Sequence, residues 1–168
     1  MWAARRVGNG WLCRASDRVL VVSGSIAAVE RAAMVALLDA GPGSVLSHSS
    51  ALALWRVPGY WIRPAHVLRP RAGVKRAGAV ATVHSSRRIP EHHVVLLRNI
   101  PVTTPTRTCF DVAATLSPLR VERVVDRLWA RRLTSGRLLR RMRKELSRQG
   151  RSGLGVMDQV LVERVPGY

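Results

Sequence analysis

An α+β fold, with a small mixed sheet, flanking helices and a helical C-terminal third, is what this sequence predicts. Three features of its 168 residues carry that expectation. Before about residue 60 and after Thr104, apolar residues recur at three-and-four spacing, the period of a helix with one buried face. From about His66 to Thr103 the chain changes to short β-branched runs, "AHVLRP", "AGAVATVH", "HHVVLLR" and "NIPVTT", separated by Arg, Gly and Pro clusters. The length suffices for one well-buried core and not for two domains of ordinary size.

Taken in order, Gly8, Asn9 and Gly10 form a turn, and the apolar runs Trp11 to Arg14 and Val19 to Val22 around "ASD" read as a β-hairpin. Ser25 caps a helix from Ile26 to Ala40, with Ile26, Val29, Ala33, Leu37 and Ala40 as its apolar stripe and "GPG" as its stop. Ser47 caps a short second helix that runs through Ala51, Leu52 and Trp55 to the break at Pro58-Gly59. Beyond the sheet, Ser117 caps Pro118 to Arg132, Thr134 or Ser135 caps a run to about Gln149, and Ser152 caps a run to about Arg164.

The stretch "NIPVTTPTRTCFDVAATL" gathers threonines, an arginine, a cysteine and an aspartate, and raises the question of catalysis. Its chemistry favours a helix start, because Thr104 is a side-chain cap and Pro105 is a residue whose missing N–H costs nothing at the first helical position. Cys109, Val112, Ala113 and Leu116 then share one face, broadened by Phe110, while Arg107, Asp111 and Thr115 are expected to point elsewhere. Asp111 stands four residues from Arg107 and can pair with it, a contact worth a few tenths of a kcal/mol if exposed. Cys109 has no local base to activate it, so it reads as a buried apolar thiol.

Lys+Arg 28 against Asp+Glu 10 gives a net charge of +18, which favours a polyanion partner, nucleic acid first. Only Lys75 and Lys144 are lysine, and an arginine-rich, alanine-rich chain also arises from genomic base composition, which discounts the argument. The densest positive run is "SGRLLRRMRKELSRQGR", with Arg137, Arg140, Arg141, Arg143, Lys144, Arg148 and Arg151 around a stripe of Leu138, Leu139, Met142 and Leu146. Such a helix can lie along phosphates, or it can be an ordinary solvated face.

Several chemistries lack their residues. His48, His66, His84, His92 and His93 show no zinc-ligand spacing and read as structural or surface histidines. There is no Gly-x-Ser-x-Gly elbow and no Gly-rich loop ending in Lys-Ser or Lys-Thr. The ten carboxylates are scattered, so no metal-dependent nuclease core is visible. No cofactor, metal or catalytic residue is expected. Cys13 and Cys109 alone, far apart and with no secretory segment before them, fit free thiols in a cytoplasmic protein. The longest apolar run, "IAAVERAAMVALLDA", is too short and too charged to span a bilayer.

The phrases "AGPGSVLSHSSALALWRV", "VHSSRRIPEHHVVLLRNIPVTTPTRTCFDVAATL" and "RVERVVDRLWARRLTS", in this order and spacing, resemble AbiEi-type antitoxins of type IV toxin–antitoxin systems. The likeness covers roughly residues 10 to 165 and is similar in particular to an actinobacterial branch in which this region often precedes an endonuclease-like domain related to very-short-patch repair enzymes. The resemblance implies a winged helix-turn-helix that binds the operator of its own operon, then an α+β domain associated with neutralising a nucleotidyltransferase-like toxin. On this implication "GWLCRASDRVLVV" matches the wing, which puts Arg14 and Arg18 where a wing touches phosphates. Residues 1 to 24 would then be a winged-helix remnant lacking its recognition helices, and residues 25 to 165 the AbiEi-like α+β domain. The function so implied is a non-enzymatic transcriptional regulator and antitoxin, binding DNA with low sequence choice through Arg14, Arg18, Arg137, Arg140, Arg141 and Arg148. The alternative is a relic of a longer very-short-patch-repair-like endonuclease protein without its catalytic domain.

Overall fold

The computed structural model describes residues 2–26, 28–71, 80–147 and 152–164, and it is α+β as predicted. A short helix α1 (Trp2–Gly8) leads into the hairpin β1 (Leu12–Arg14) and β2 (Leu20–Val22), paired antiparallel with Leu12 opposite Val22. The hairpin was legible; the helix before it was not. Its turn is held by the Ser16 hydroxyl, which accepts from the backbone N–H groups of Arg18 and Val19, each at 3.1 Å.

Helix α2 (Val29–Ala40) starts three residues later than the Ser25 cap predicted. Ser25 donates its hydroxyl proton to the Val22 carbonyl at 2.6 Å and accepts from Arg31 at 2.8 Å, so it closes the hairpin instead of opening the helix. Strand β3 (Val45–Leu46) and helix α3 (His48–Leu54) follow. Ser47 stands at the cap position of α3, but its hydroxyl bonds the His48 imidazole and caps nothing.

The sheet continues with β4 (Ala65–Pro70), β5 (Ala81–Ser86), β6 (Val94–Leu97) and β7 (Ile100–Thr103), close to the four runs read from sequence. Its order is β5-β4-β3-β7-β6, mixed as predicted: β3 is antiparallel to β4 and parallel to β7, β4 is parallel to β5, and β6 is antiparallel to β7. The two-residue central strand β3 has too few residues to show a period of two, which is why the sequence did not reveal it.

Helices α4 (Pro105–Ala113), α5 (Pro118–Ala130), α6 (Gly136–Ser147) and α7 (Leu154–Arg164) complete the helical C-terminal third. Thr104 caps α4 as predicted, accepting from the Arg107 N–H at 3.3 Å with Pro105 at the first position. Ser135, rather than Thr134, caps α6 through the Leu138 N–H; Thr134 bonds Thr106 at 2.9 Å.

Two apolar cores share the molecule. In one, α2 lays Ala33, Ala36 and Leu37 on Leu46, Val67, Ile100 and Val102 of the sheet. In the other, Cys109, Phe110, Val112 and Ala113 of α4 meet Val121, Val124 and Leu128 of α5, Leu139 and Leu146 of α6, and Met157 and Val160 of α7. Trp55 packs against both. Gly153 keeps α7 tight on α4: its φ is +88°, and a Cβ there would stand 2.5 Å from the Ala114 nitrogen.

Candidate functional site: a histidine network and a basic helix face

All five histidines of the chain fall into two clusters flanking one buried ion pair. The reading of α4 is corrected at two positions. Arg107 and Asp111 do not point away from the core; both are buried, Arg107 completely, with Arg107 Nε donating to Asp111 Oδ1 at 2.8 Å. The pair forms at the spacing read from sequence, in a medium where it is no longer a surface contact.

The reason is geometric. Parallel pairing of Leu46 with Val102 sets the start of α3 beside the start of α4, and α5, α6 and α7 cover the remaining sides of α4. Its polar residues therefore find partners inside. Thr108 donates its hydroxyl proton to the Thr104 carbonyl at 2.9 Å and accepts from the Thr103 hydroxyl at 2.8 Å. Arg107 Nη1 donates to His93 Nδ1 at 2.7 Å.

That contact fixes the chemistry of His93. A guanidinium is always a donor, so Nδ1 accepts, and the neutral ring carries its proton on Nε2, 3.1 Å from Glu145 Oε1. His92 Nε2 meets the same oxygen at 2.8 Å. Burial, with the Arg107 charge adding to it, pushes His93 down to about 4. Burial acts to raise the Glu145 carboxyl, but the neighbouring His93 and His92 imidazoles outweigh it and hold it below its ordinary value. His92, His93 and Glu145 bring three ligand-type atoms within 4.8 Å of one another. The set nevertheless fits a metal poorly, because Nε2 of His93 is protonated while Arg107 occupies Nδ1. The trio ties α6 to the turn that enters β6.

The second cluster follows from strand register. Along β4, Ala65 and Val67 face α2, so His66 faces the other way; along β5, Val83 faces α2 and His84 does not. Thr82 pairs with His66 and His84 with Leu68, which makes the two histidines diagonal neighbours, with His66 Nδ1 at 2.9 Å from His84 Nε2. His48, at the start of α3, stacks on His84 with ring centroids 3.6 Å apart. Burial lowers the pKa of both His66 and His84; His66 adds to the effect on His84 and the Asp111 carboxylate opposes it. The histidines are thus assembled into clusters in a way their sequence spacing did not show.

Cys109 is buried, and burial pushes its thiol up to about 12, which disfavours the thiolate. Cys13 is exposed.

The basic residues singled out from sequence divide sharply. Arg137, Arg141 and Lys144 recur at four and three residues along α6 and are exposed, forming one solvated cationic stripe opposite buried Leu139, Met142 and Leu146. Arg140 is half-buried, beside that stripe. Arg143 turns to α7, with a bidentate pair to Asp158 at 2.5 and 2.7 Å. Arg148 lies outside the described residues. Arg14 and Arg18 are exposed on the hairpin, but Arg14 donates to the Asp17 carbonyl at 3.4 Å and Arg18 to the Asp39 carbonyl at 3.2 Å, tying the hairpin to the end of α2. The hairpin and α6 stand on different elements and the structure does not merge their arginines into one cluster. Among the described residues no helix is long and apolar enough to cross a membrane.

A scan of protein-family models gives no match to this sequence, and a search of curated proteins gives none either.

Proposed function

We propose that the chain is a non-enzymatic, nucleic-acid-binding regulatory protein of the AbiEi antitoxin type, acting in the cytoplasm. In this reading α6 lies along phosphates and the hairpin of Arg14 and Arg18 serves as a wing. A nucleotidyltransferase-like toxin is the protein partner that the sequence resemblance implies. The observation that carries the reading is the α6 stripe: Arg137, Arg141 and Lys144 keep their charges in solvent while the opposite face of the helix is locked into the core. The net charge of +18 adds long-range attraction for a polyanion. The non-enzymatic half rests on the polar network, whose arginine, aspartate and glutamate are engaged with one another and with histidines.

Phosphate contacts confer affinity without base information, so the test is salt dependence rather than sequence choice. Changing Arg137, Arg141 and Lys144 to Gln should reduce the slope of log affinity for duplex DNA against log salt by up to about 0.9 per lost contact. Arg71, Arg87 and Arg88, exposed where β4 and β5 end, provide an equal charge removal elsewhere. Equal slopes in the two triple variants would overturn the assignment of α6 as the contact face, and salt-insensitive binding would overturn the nucleic-acid reading.

A further inference from the structure

The segment between α3 and β4 crosses from one core to the other, and its side chains are sorted by that crossing. Tyr60 packs on the helical core, Ile62 is buried in the sheet core, and between them Trp61 is 72% exposed. Arg63, the next outward residue, is exposed as well. A tryptophan presented to water this fully, between two anchored neighbours, leaves a large apolar surface exposed.

Its surroundings are cationic. Arg127 donates to the Pro58 carbonyl at 2.9 Å, and Arg131 donates to the carbonyls of Trp55 at 2.6 Å and Arg56 at 3.3 Å, so α5 clamps this segment with guanidinium groups. The acids on α5 do not neutralise them, because Glu122 and Asp126 are engaged by Arg164. On the other side of the segment a groove of about 420 Å³ opens, floored by Ala32, Val35, Ile62 and Ala65 and flanked by Arg31 and Arg63.

From this juxtaposition we propose that Trp61 is a stacking platform for a base of single-stranded nucleic acid, with Arg63 and Arg127 taking the flanking phosphates. Stacking on an aromatic face tolerates any base, and a cationic rim follows the backbone, so the pairing fits single strands whose bases are free. Duplex DNA hides those faces and would meet the rim alone. The proposal rests on the nucleic-acid reading above and adds to it a second surface with a different preference.

The experiment measures binding of a labelled oligothymidylate, an abasic strand of the same length and a duplex to the wild-type chain, Trp61→Ala and Trp61→Phe. Trp61→Ala should weaken oligothymidylate binding about tenfold and leave the abasic strand and the duplex unchanged, with Trp61→Phe close to wild type. The side chain is exposed, so an unaltered melting temperature confirms that the variants are folded. Equal losses on all three nucleic acids, or no loss on any, overturn the platform while leaving the α6 reading to its own salt-slope test. Failure of the wild-type chain to bind any nucleic acid overturns both. Loss of polyglutamate binding in Trp61→Ala, with oligothymidylate binding unchanged, assigns the surface to an acidic protein and also overturns the proposal.

Discussion

Helices α4 and α6 each set an arginine four residues before a second charged residue, Arg107 before Asp111 and Arg137 before Arg141, yet one pair lies in the core and the other in water. The difference does not lie in the helices themselves. Four other helices, α3, α5, α6 and α7, pack around α4, whereas α6 is covered on one side only. Burial turned a contact of a few tenths of a kcal/mol into a requirement, since a buried charge that loses its partner is left in a low-dielectric medium. Exposure left the α6 charges available to something outside. Local spacing tells which residues can meet; the elements stacked around them decide what the meeting is worth.

The contrast can be broken most directly at Arg107. Arg107→Ala strands Asp111 in the core and should cost about 3 to 5 kcal/mol, read as a large fall in the urea midpoint. The double change Arg107→Met with Asp111→Leu should recover most of that loss, because it removes both charges. A loss below about 1 kcal/mol in the single variant would place the pair energetically with the surface pairs of α6.

The next largest effect is one of pH. His93 is held neutral in the folded state down to about 4, against an ordinary value of 6.5. The unfolded chain therefore binds a proton first as pH falls, so the stability tied to this group is complete above about pH 6.5 and is lost on the way down to about 4. At 1.36 kcal/mol per unit, the loss approaches about 3 kcal/mol. Melting curves from pH 7 to pH 4 should show His93→Asn losing less than wild type over that window; parallel losses would detach His93 from the network.

Thr104→Ala removes the α4 cap and should cost about 1 kcal/mol, a shift of a few degrees in Tm. The smallest effect belongs to α6: Gln at positions 137, 141 and 144 should change stability by no more than about 0.5 kcal/mol, while changing the salt slope. A destabilisation comparable to that at Arg107 would show the stripe to be structural.

The four longer strands, the hairpin and the helices after Thr104 were legible because each carries its own period and its own punctuation, as in Ser117-Pro118 or Thr104-Pro105. Strand β3 was not, since two residues have no period. The start of α2 was misplaced because Ser25 has two local uses, capping a helix or closing a turn, and the hairpin claimed it. Of the functional candidates, the exposed stripe of Arg137 and Arg141 was readable from helical spacing, and Arg143 was lost to Asp158, a partner fifteen residues on. The histidine clusters were invisible for a deeper reason: His66 meets His84 through strand register, and His93 meets Arg107 and Glu145 through the packing of α4 and α6, none of which spacing encodes.

The parallel pairing of Leu46 with Val102 has a kinetic side. It joins strands separated by most of the sheet's sequence, and such a closure loses much chain entropy before any contact compensates it. The hairpin of β6 and β7 and the helices α5 to α7 need only neighbours in sequence and can form ahead of it. His48 follows β3 and Arg107 follows β7, so the cluster of His48, His66 and His84 and the buried ion pair come together only when this one pairing closes. The ion pair and its partners His93 and Glu145 all lie in the C-terminal half of the chain, so what that closure adds is the approach of the His48, His66 and His84 cluster to them.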